Sequence, residues 1–155
     1  MVAFLSLLCA MVALGGFVSA AALDVMTRTI PNIVVIVISL AVTGLVLLAT
    51  PHAFPAHSAV ALMVLAGGAA LFLMRLWGAG DAKLLAAAAL LCGASGLPLL
   101  IVGTALSGGV LAMALSAWRL VSRRAEDVTI PYGLAIACGA ILASVSSGAL
   151  GPLSR

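Results

Sequence analysis

The sequence predicts an all-α integral membrane protein, a six-helix transmembrane bundle with a short fourth helix. Of the 155 residues, 65% are hydrophobic and only 7% are charged, so the chain has too few polar side chains to cover a water-soluble globule. Most apolar stretches are roughly 20 residues long, which is enough to cross a bilayer as a helix. No polar linker is long enough to separate two domains. We therefore expect residues 1–155 to form a single transmembrane domain.

Prolines, glycines and charged residues divide the apolar sequence into six segments. The β-branched run 33–38 would suggest a strand in water, but we predict a helix because an isolated strand leaves its backbone unpaired in lipid. The fourth segment meets Gly93-Ala94-Ser95-Gly96 after about twelve residues, too few for a full crossing. Small residues at 18–22 are typical of signal-peptide cleavage sites, but no basic residues precede them, so we interpret the first segment as a retained span. The predicted spans are 2–23, 33–49, 58–76, 81–92, 97–118 and 130–150.

Basic residues are distributed unevenly between the two sides of this bundle. Arg155 lies on one side, and the other six lie on the opposite side: Arg28, Arg75, Lys83, Arg119, Arg123 and Arg124. By the positive-inside rule, the loops after the first, third and fifth spans are cytoplasmic and both termini are outside. The net charge of +3 therefore concerns membrane orientation, and we expect no nucleic-acid partner.

Two of the four acidic residues have unusual positions. Glu126 and Asp127 lie in the charged loop, where contact with water or with arginine explains them. Asp24 ends the first span and Asp81 begins the fourth, so both are expected at the same membrane face. An acid within a membrane helix costs about 2.5–3.5 kcal/mol at the helix centre, and such residues are functional candidates.

A pair of carboxylates at one membrane face could perform acid–base chemistry. Two acids held close together share a proton, so one acts as a base and the other as an acid toward a water molecule and a peptide carbonyl. Asp81 follows a turn at a helix N-terminus, where the macrodipole favours a charged group, whereas Asp24 is expected to lack such a neighbour. Gly78 and Gly80 lack Cβ atoms and would let a substrate backbone pass close to the acids. Alternatively, Asp81 caps the fourth helix and Asp24 forms a salt bridge with Arg28 or Lys83; the spacing alone favours neither interpretation.

Metal and cofactor chemistry are not indicated by the sequence. Cys9, Cys92 and Cys138 are far apart within apolar runs, which fits neither a disulfide framework nor a zinc site. His52 and His57 share a predicted short loop without an accompanying acid or thiol, and we interpret both as solvated loop side chains. We predict no metal and no cofactor.

Three motifs resemble, in order and spacing, those of the type IV prepilin peptidases. They are Asp24 followed by Arg28-Thr29-Ile30-Pro31-Asn32, then Gly78-Ala79-Gly80-Asp81-Ala82-Lys83, and then Ile130-Pro131-Tyr132-Gly133. The match is closest to the short form associated with Tad/Flp pili and covers nearly the whole chain. It implies one aspartic peptidase domain in the bacterial inner membrane that removes the positively charged leader from prepilins at the cytoplasmic face.

The resemblance also implies roles for the residues of these motifs. Asp24 and Asp81 would be the catalytic pair, and the glycines at 78 and 80 would shape the turn beside them. Pro131, Tyr132 and Gly133 would lie near the site. Lys83 also matches the family's pattern, and its role could be as modest as keeping a nearby carboxylate charged. The implied partners are a prepilin substrate and the lipid bilayer, while the oligomeric state is not predicted.

Longer members of that family carry an N-terminal extension with paired cysteines and a methyltransferase activity. This chain begins with the first span, and we expect no methylation from it. A presenilin-like intramembrane peptidase shares the Gly-x-Gly-Asp motif but resembles the chain less, because Asp24 ends a span instead of lying in its middle. A small ion-coupled transporter would require acids at mid-depth and repeated hydropathy patterns, and the sequence has neither.

Overall fold

The computed structural model describes residues 1–122 and 131–146. Within these residues the chain is all-helical, and four of its helices are long and apolar enough to cross a membrane, as the composition predicts. A short 3-10 helix, Pro51–Ala53, precedes the third α-helix, and the last α-helix is apolar but shorter. The α-helices are α1 (Val2–Thr27), α2 (Asn32–Ala49), α3 (Phe54–Leu73), α4 (Ala79–Ser122) and α5 (Tyr132–Ser146).

The prediction of six helices with a separate short fourth helix is wrong, because the described residues form five α-helices. The predicted spans 81–92 and 97–118 lie in one helical segment of 44 residues, α4, in which a kink joins two helical stretches without a loop between them. The expected four-residue break is reduced to Gly93, whose φ of 62° and ψ of −167° are not helical and lie in a region open almost only to glycine. The residues after it continue the helix because a backbone in lipid must pair its own polar groups.

A kink at Gly93 folds α4 back on itself. A straight helix of 44 residues would be about 66 Å long, roughly twice the thickness of the hydrocarbon core. Leu85 and Ala112 would lie about 40 Å apart in such a helix, yet both line one cavity of about 520 Å³. We call residues 79–92 the first arm and residues 94–122 the second arm.

The second arm packs antiparallel against α5 through small residues. A Cβ added at Gly103 would lie 3.2 Å from the Cα of Gly139, and one added at Gly108 would lie 3.6 Å from the Cβ of Ala135. Lipid removes most of the hydrophobic drive for association between helices, so close van der Waals contact between small residues has to hold them together.

α2 and α5 connect α1, which carries Asp24, with α4, which carries Asp81. α4 packs against α5, α3 and α2, whereas α1 packs against α2 and α5. Among the described residues, α1 and α4 have little direct contact with each other. The relative position of Asp24 on α1 and Asp81 on α4 is therefore set mainly by α2 and α5.

Candidate active site

A cavity of about 310 Å³ lies at the end of the bundle where α1 ends and where α4 and α5 begin. It brings together both candidate acids with one motif glycine, one motif tyrosine and residues from the connections after α1 and α3. The residues that line it are Asp24, Arg28, Arg75, Leu76, Trp77, Gly78, Asp81 and Tyr132.

Asp24 lies in the last turn of α1 and is 7% exposed. Its Oδ2 accepts a hydrogen bond of 2.7 Å from the backbone N–H of Gly133. Gly133 is in the first turn of α5, whose N–H groups have no partner within their own helix. The carboxylate of Asp24 therefore caps a helix that is distant in sequence. The expectation that Asp24 has no helix N-terminus beside it is wrong, because it lies against that of α5.

Gly133 makes the close approach of α5 to Asp24 possible. A Cβ at this position would lie 2.9 Å from both the Cβ and the Oδ2 of Asp24. Real Cβ atoms essentially never come so close to another atom, so any other residue would push the carboxylate or the helix away. The sequence placed Gly133 near the site only through the family resemblance, and the structure supplies the physical reason.

Asp81 lies in the first turn of α4 and is partly buried. The carbonyl of Gly78 accepts a hydrogen bond of 3.1 Å from the N–H of Ala82, which marks the start of the helix. A Cβ at Gly78 would lie 2.7 Å from the Oδ2 of Asp81. Gly78 therefore leaves room for the carboxylate to turn back over the beginning of its own helix.

Gly80 makes a close contact that the sequence did not indicate. It lies inside α4, where an added Cβ would be 3.2 Å from the Cβ of Ile30. The absence of a side chain thus lets the beginning of α4 approach the connection between α1 and α2. This contact and the bond between Asp24 and Gly133 hold the two acids at one cavity.

The remaining motif residues surround the site without all lining it. Pro131 is buried immediately before α5, and Tyr132 lines the cavity. Lys83 is exposed, and its Nζ donates a hydrogen bond of 2.9 Å to the Oδ1 of Asn32 at the beginning of α2. The structure thus places the lysine against a neutral amide instead of the carboxylate expected from sequence.

Of the two cations at the cavity, Arg28 was considered from sequence only as an alternative ion-pair partner of Asp24, and Arg75 was not connected with the site. Arg28 follows α1 with a φ of 55°, and Arg75 follows α3 with a φ of 59°, both in the left-handed region, which is uncommon for residues with a side chain. The available signal was that each arginine follows a span ending at the same face as the acids. For Arg75, this signal was used only to orient the chain in the membrane.

A larger apolar cavity adjoins the acid-lined one. The two cavities share Leu76, Trp77 and Tyr132. The larger cavity is lined further by small and aliphatic residues of both arms of α4, so its surface suits an apolar chain segment. Tyr132 lies at the boundary between the apolar and acidic surfaces.

The comparisons with known proteins give one match. The profile of the Type IV leader peptidase family matches residues 3–113, well over half of the chain and including both candidate acids. No curated protein and no solved structure matches the chain. The chain therefore belongs to the type IV leader peptidase family, and it is a membrane-embedded, aspartic-type prepilin peptidase.

Proposed function

We propose that residues 1–155 form one peptidase domain that removes the leader peptide from Flp-like prepilins at the cytoplasmic membrane face. Asp24 and Asp81 activate the water that attacks the scissile carbonyl. The observation that carries this proposal is that the two acids, on helices with little mutual contact, line a single cavity. The family implies prepilin substrates. The Tad/Flp subtype is part of this proposal and is supported by the resemblance of the three motifs.

The proposed mechanism assigns different roles to the two acids. Asp24 accepts a backbone hydrogen bond at Oδ2, a partner suited to a carboxylate, and acts as the base. It takes a proton from water while the water oxygen bonds to the peptide carbon. Asp81 gives its proton to the carbonyl oxygen as the tetrahedral intermediate forms. The C–N bond then breaks, the leaving amine takes the proton held by Asp24, and Asp81 regains its own from the collapsing intermediate.

The surrounding residues position the substrate and the dyad in this proposal. The apolar cavity beside the site accommodates apolar residues of the prepilin, while Tyr132 and Trp77 lie where that cavity meets the acids. The contacts at Gly78 and Gly80 support a role in shaping the site. The bond from Lys83 to Asn32 supports a role in holding α4 against α2.

We expect the purified chain to cleave a Flp-like prepilin in liposomes that contain a metal chelator and no S-adenosylmethionine. Among residues 1–122 and 131–146, no three His, Cys, Asp or Glu side chains form a group that could hold a metal ion, and two carboxylates suffice to activate water. The measurement is the mobility shift of the pilin, with a prepilin of another type IV pilus run in parallel. Loss of cleavage in chelator that added zinc restores would contradict the acid-pair mechanism.

We also propose that the acid-lined end of the bundle faces the cytoplasm and that both termini lie outside. The grouping of Arg28 and Arg75 at that cavity supports this orientation through the positive-inside rule. Thr29→Cys and His52→Cys, both at exposed positions, should be labelled from opposite sides in a background without the native cysteines. Labelling of His52→Cys only from the cytoplasmic side would reverse the proposed topology.

A further inference from the structure

His57 occupies a position that the sequence did not indicate. Its interpretation as a solvated loop residue is wrong, because it lies in the first turn of α3 and is partly buried. Its Nδ1 lies 2.8 Å from the backbone oxygen of Leu90 on the first arm of α4. The carbonyl oxygen can only accept, so Nδ1 carries the proton and donates. His52, in the 3-10 helix, is exposed, as expected.

The imidazole of His57 also covers the kink of α4. A Cβ at Gly93 would lie 2.6 Å from the Nε2 of His57 and 2.9 Å from its Cδ2. The ring therefore packs directly on the backbone of the one non-helical residue inside α4. Gly93 is required both by its positive φ and by the ring that lies against it.

The hydrogen bond lies close to the interruption of the helix. A non-helical residue at position 93 interrupts the regular ladder of backbone hydrogen bonds around it, and Leu90 lies three residues earlier. A buried carbonyl that is left without a donor costs about 1–3 kcal/mol. His57 brings a donor from another helix to this point, so the bond holds the kink in one geometry.

The direction of the first arm determines where Asp81 lies. From Asp81 to the kink at Gly93 the arm rises about 18 Å, so a rotation of about 10° at the kink would move Asp81 by about 3 Å over that length. A misplacement of about 1 Å can cost roughly 100-fold in rate. A small change at the kink is therefore sufficient to separate Asp81 from Asp24.

We propose that His57 is a positioning residue that locks the kink of α4 and so fixes the approach of Asp81 to Asp24. This inference rests on the proposed catalytic role of Asp81. It assigns a function in the reaction to a side chain at the end of the bundle opposite to the acids.

The test compares two nearly isosteric variants. In His57→Asn, the amide nitrogen occupies the place of Nδ1 and keeps a donor, whereas His57→Leu keeps the bulk without a donor. His52→Leu is the matched control. The structural reporter is the native Cys92, which adjoins Gly93 and is 2% exposed, in a Cys9→Ala and Cys138→Ala background. Its labelling by N-ethylmaleimide is measured beside kcat and KM for a prepilin.

For His57→Leu we expect Cys92 labelling to rise and kcat to fall, each about tenfold, a factor that corresponds to ~1.4 kcal/mol. KM should stay unchanged because no group that contacts the substrate is altered. His57→Asn and His52→Leu should behave like the parent protein. If His57→Leu does not accumulate in the membrane, His57→Ala takes its place with the same readouts.

Three outcomes would overturn the inference. They are unchanged Cys92 labelling in His57→Leu, increased labelling without a fall in kcat, and a His57→Asn variant as impaired as His57→Leu. The two proposals can fail separately. If Asp81→Asn still cleaved prepilin, the catalytic assignment of Asp81 would be wrong. The difference in Cys92 labelling between His57→Leu and His57→Asn would still show whether His57 fixes the kink of α4.

Discussion

Asp24→Asn and Asp81→Asn should each abolish cleavage of a co-expressed prepilin, whereas Glu126→Gln and Asp127→Asn should leave most of it. Glu126 and Asp127 lie outside the residues that the structure describes. A dyad that shares a proton needs an ionisable acid on each side of the water, and an amide can neither take up the proton nor release it. We expect each Asn variant to lose at least roughly 10³ in kcat, within the range for general acid–base groups.

Two further measurements distinguish a dyad from two independent acids. The double Asn variant should be no slower than either single variant, since removing one member already disables the unit. The pH profile of kcat should be bell-shaped, because the pair has no base when both acids are protonated at low pH and no acid when both are ionised at high pH. Each limb of the profile reports the titration of the coupled pair and not of one residue. Near-normal processing by either Asn variant, at normal protein levels in the membrane, would show that the acid concerned is structural.

Gly133→Ala should reduce kcat by about 100-fold while the protein still accumulates in the membrane. The added Cβ would lie 2.9 Å from the Cβ and the Oδ2 of Asp24. Asp24 or α5 would have to move, and the 2.7 Å bond from the Gly133 N–H would be lost or lengthened. The expected factor follows from the sensitivity of catalysis to displacements of about 1 Å.

Gly67→Ala is the matched control for this variant. Gly67 lies in α3, and a Cβ added there would meet no atom within 4 Å. The measurement is single-turnover cleavage of a prepilin by both purified variants, with their thermal unfolding followed in the same detergent. A wild-type rate for Gly133→Ala would mean that the hydrogen bond to Asp24 contributes nothing to the reaction.

Features that depend on local sequence were predicted well. Hydropathy gave the membrane class, and the prolines and charged residues placed the ends of α1 and α2 within a few residues of those observed. The predicted start of α3, at residue 58, is also a few residues from the observed start at Phe54, because the loop before it was predicted to include Pro55. In the structure it lies in the first helical turn, where its missing N–H is not needed. His57 was assigned to a loop for the same reason.

Features that depend on contacts between distant segments could not be predicted from sequence. The bond from Gly133 to Asp24 joins residues 109 positions apart, and that from His57 to Leu90 joins residues 33 positions apart. Apart from the family resemblance, which placed Gly133 near the site, nothing in either neighbourhood marks its partner. The break at Gly93 was predicted, but whether four small residues form a loop or a one-residue kink depends on the need to keep the backbone paired in lipid.

Because α1 and α4 make little contact with each other, membrane insertion of the helices and assembly of the site are separate steps. Each helix enters the bilayer according to its own hydropathy, and helix association is a later step that depends on packing. Asp24 and Asp81 meet only in that second step, through helices that carry neither acid. Damage to the packing would therefore produce a chain that is fully inserted, correctly oriented and inactive. For this protein, abundance in the membrane is consequently no measure of the fraction that is assembled.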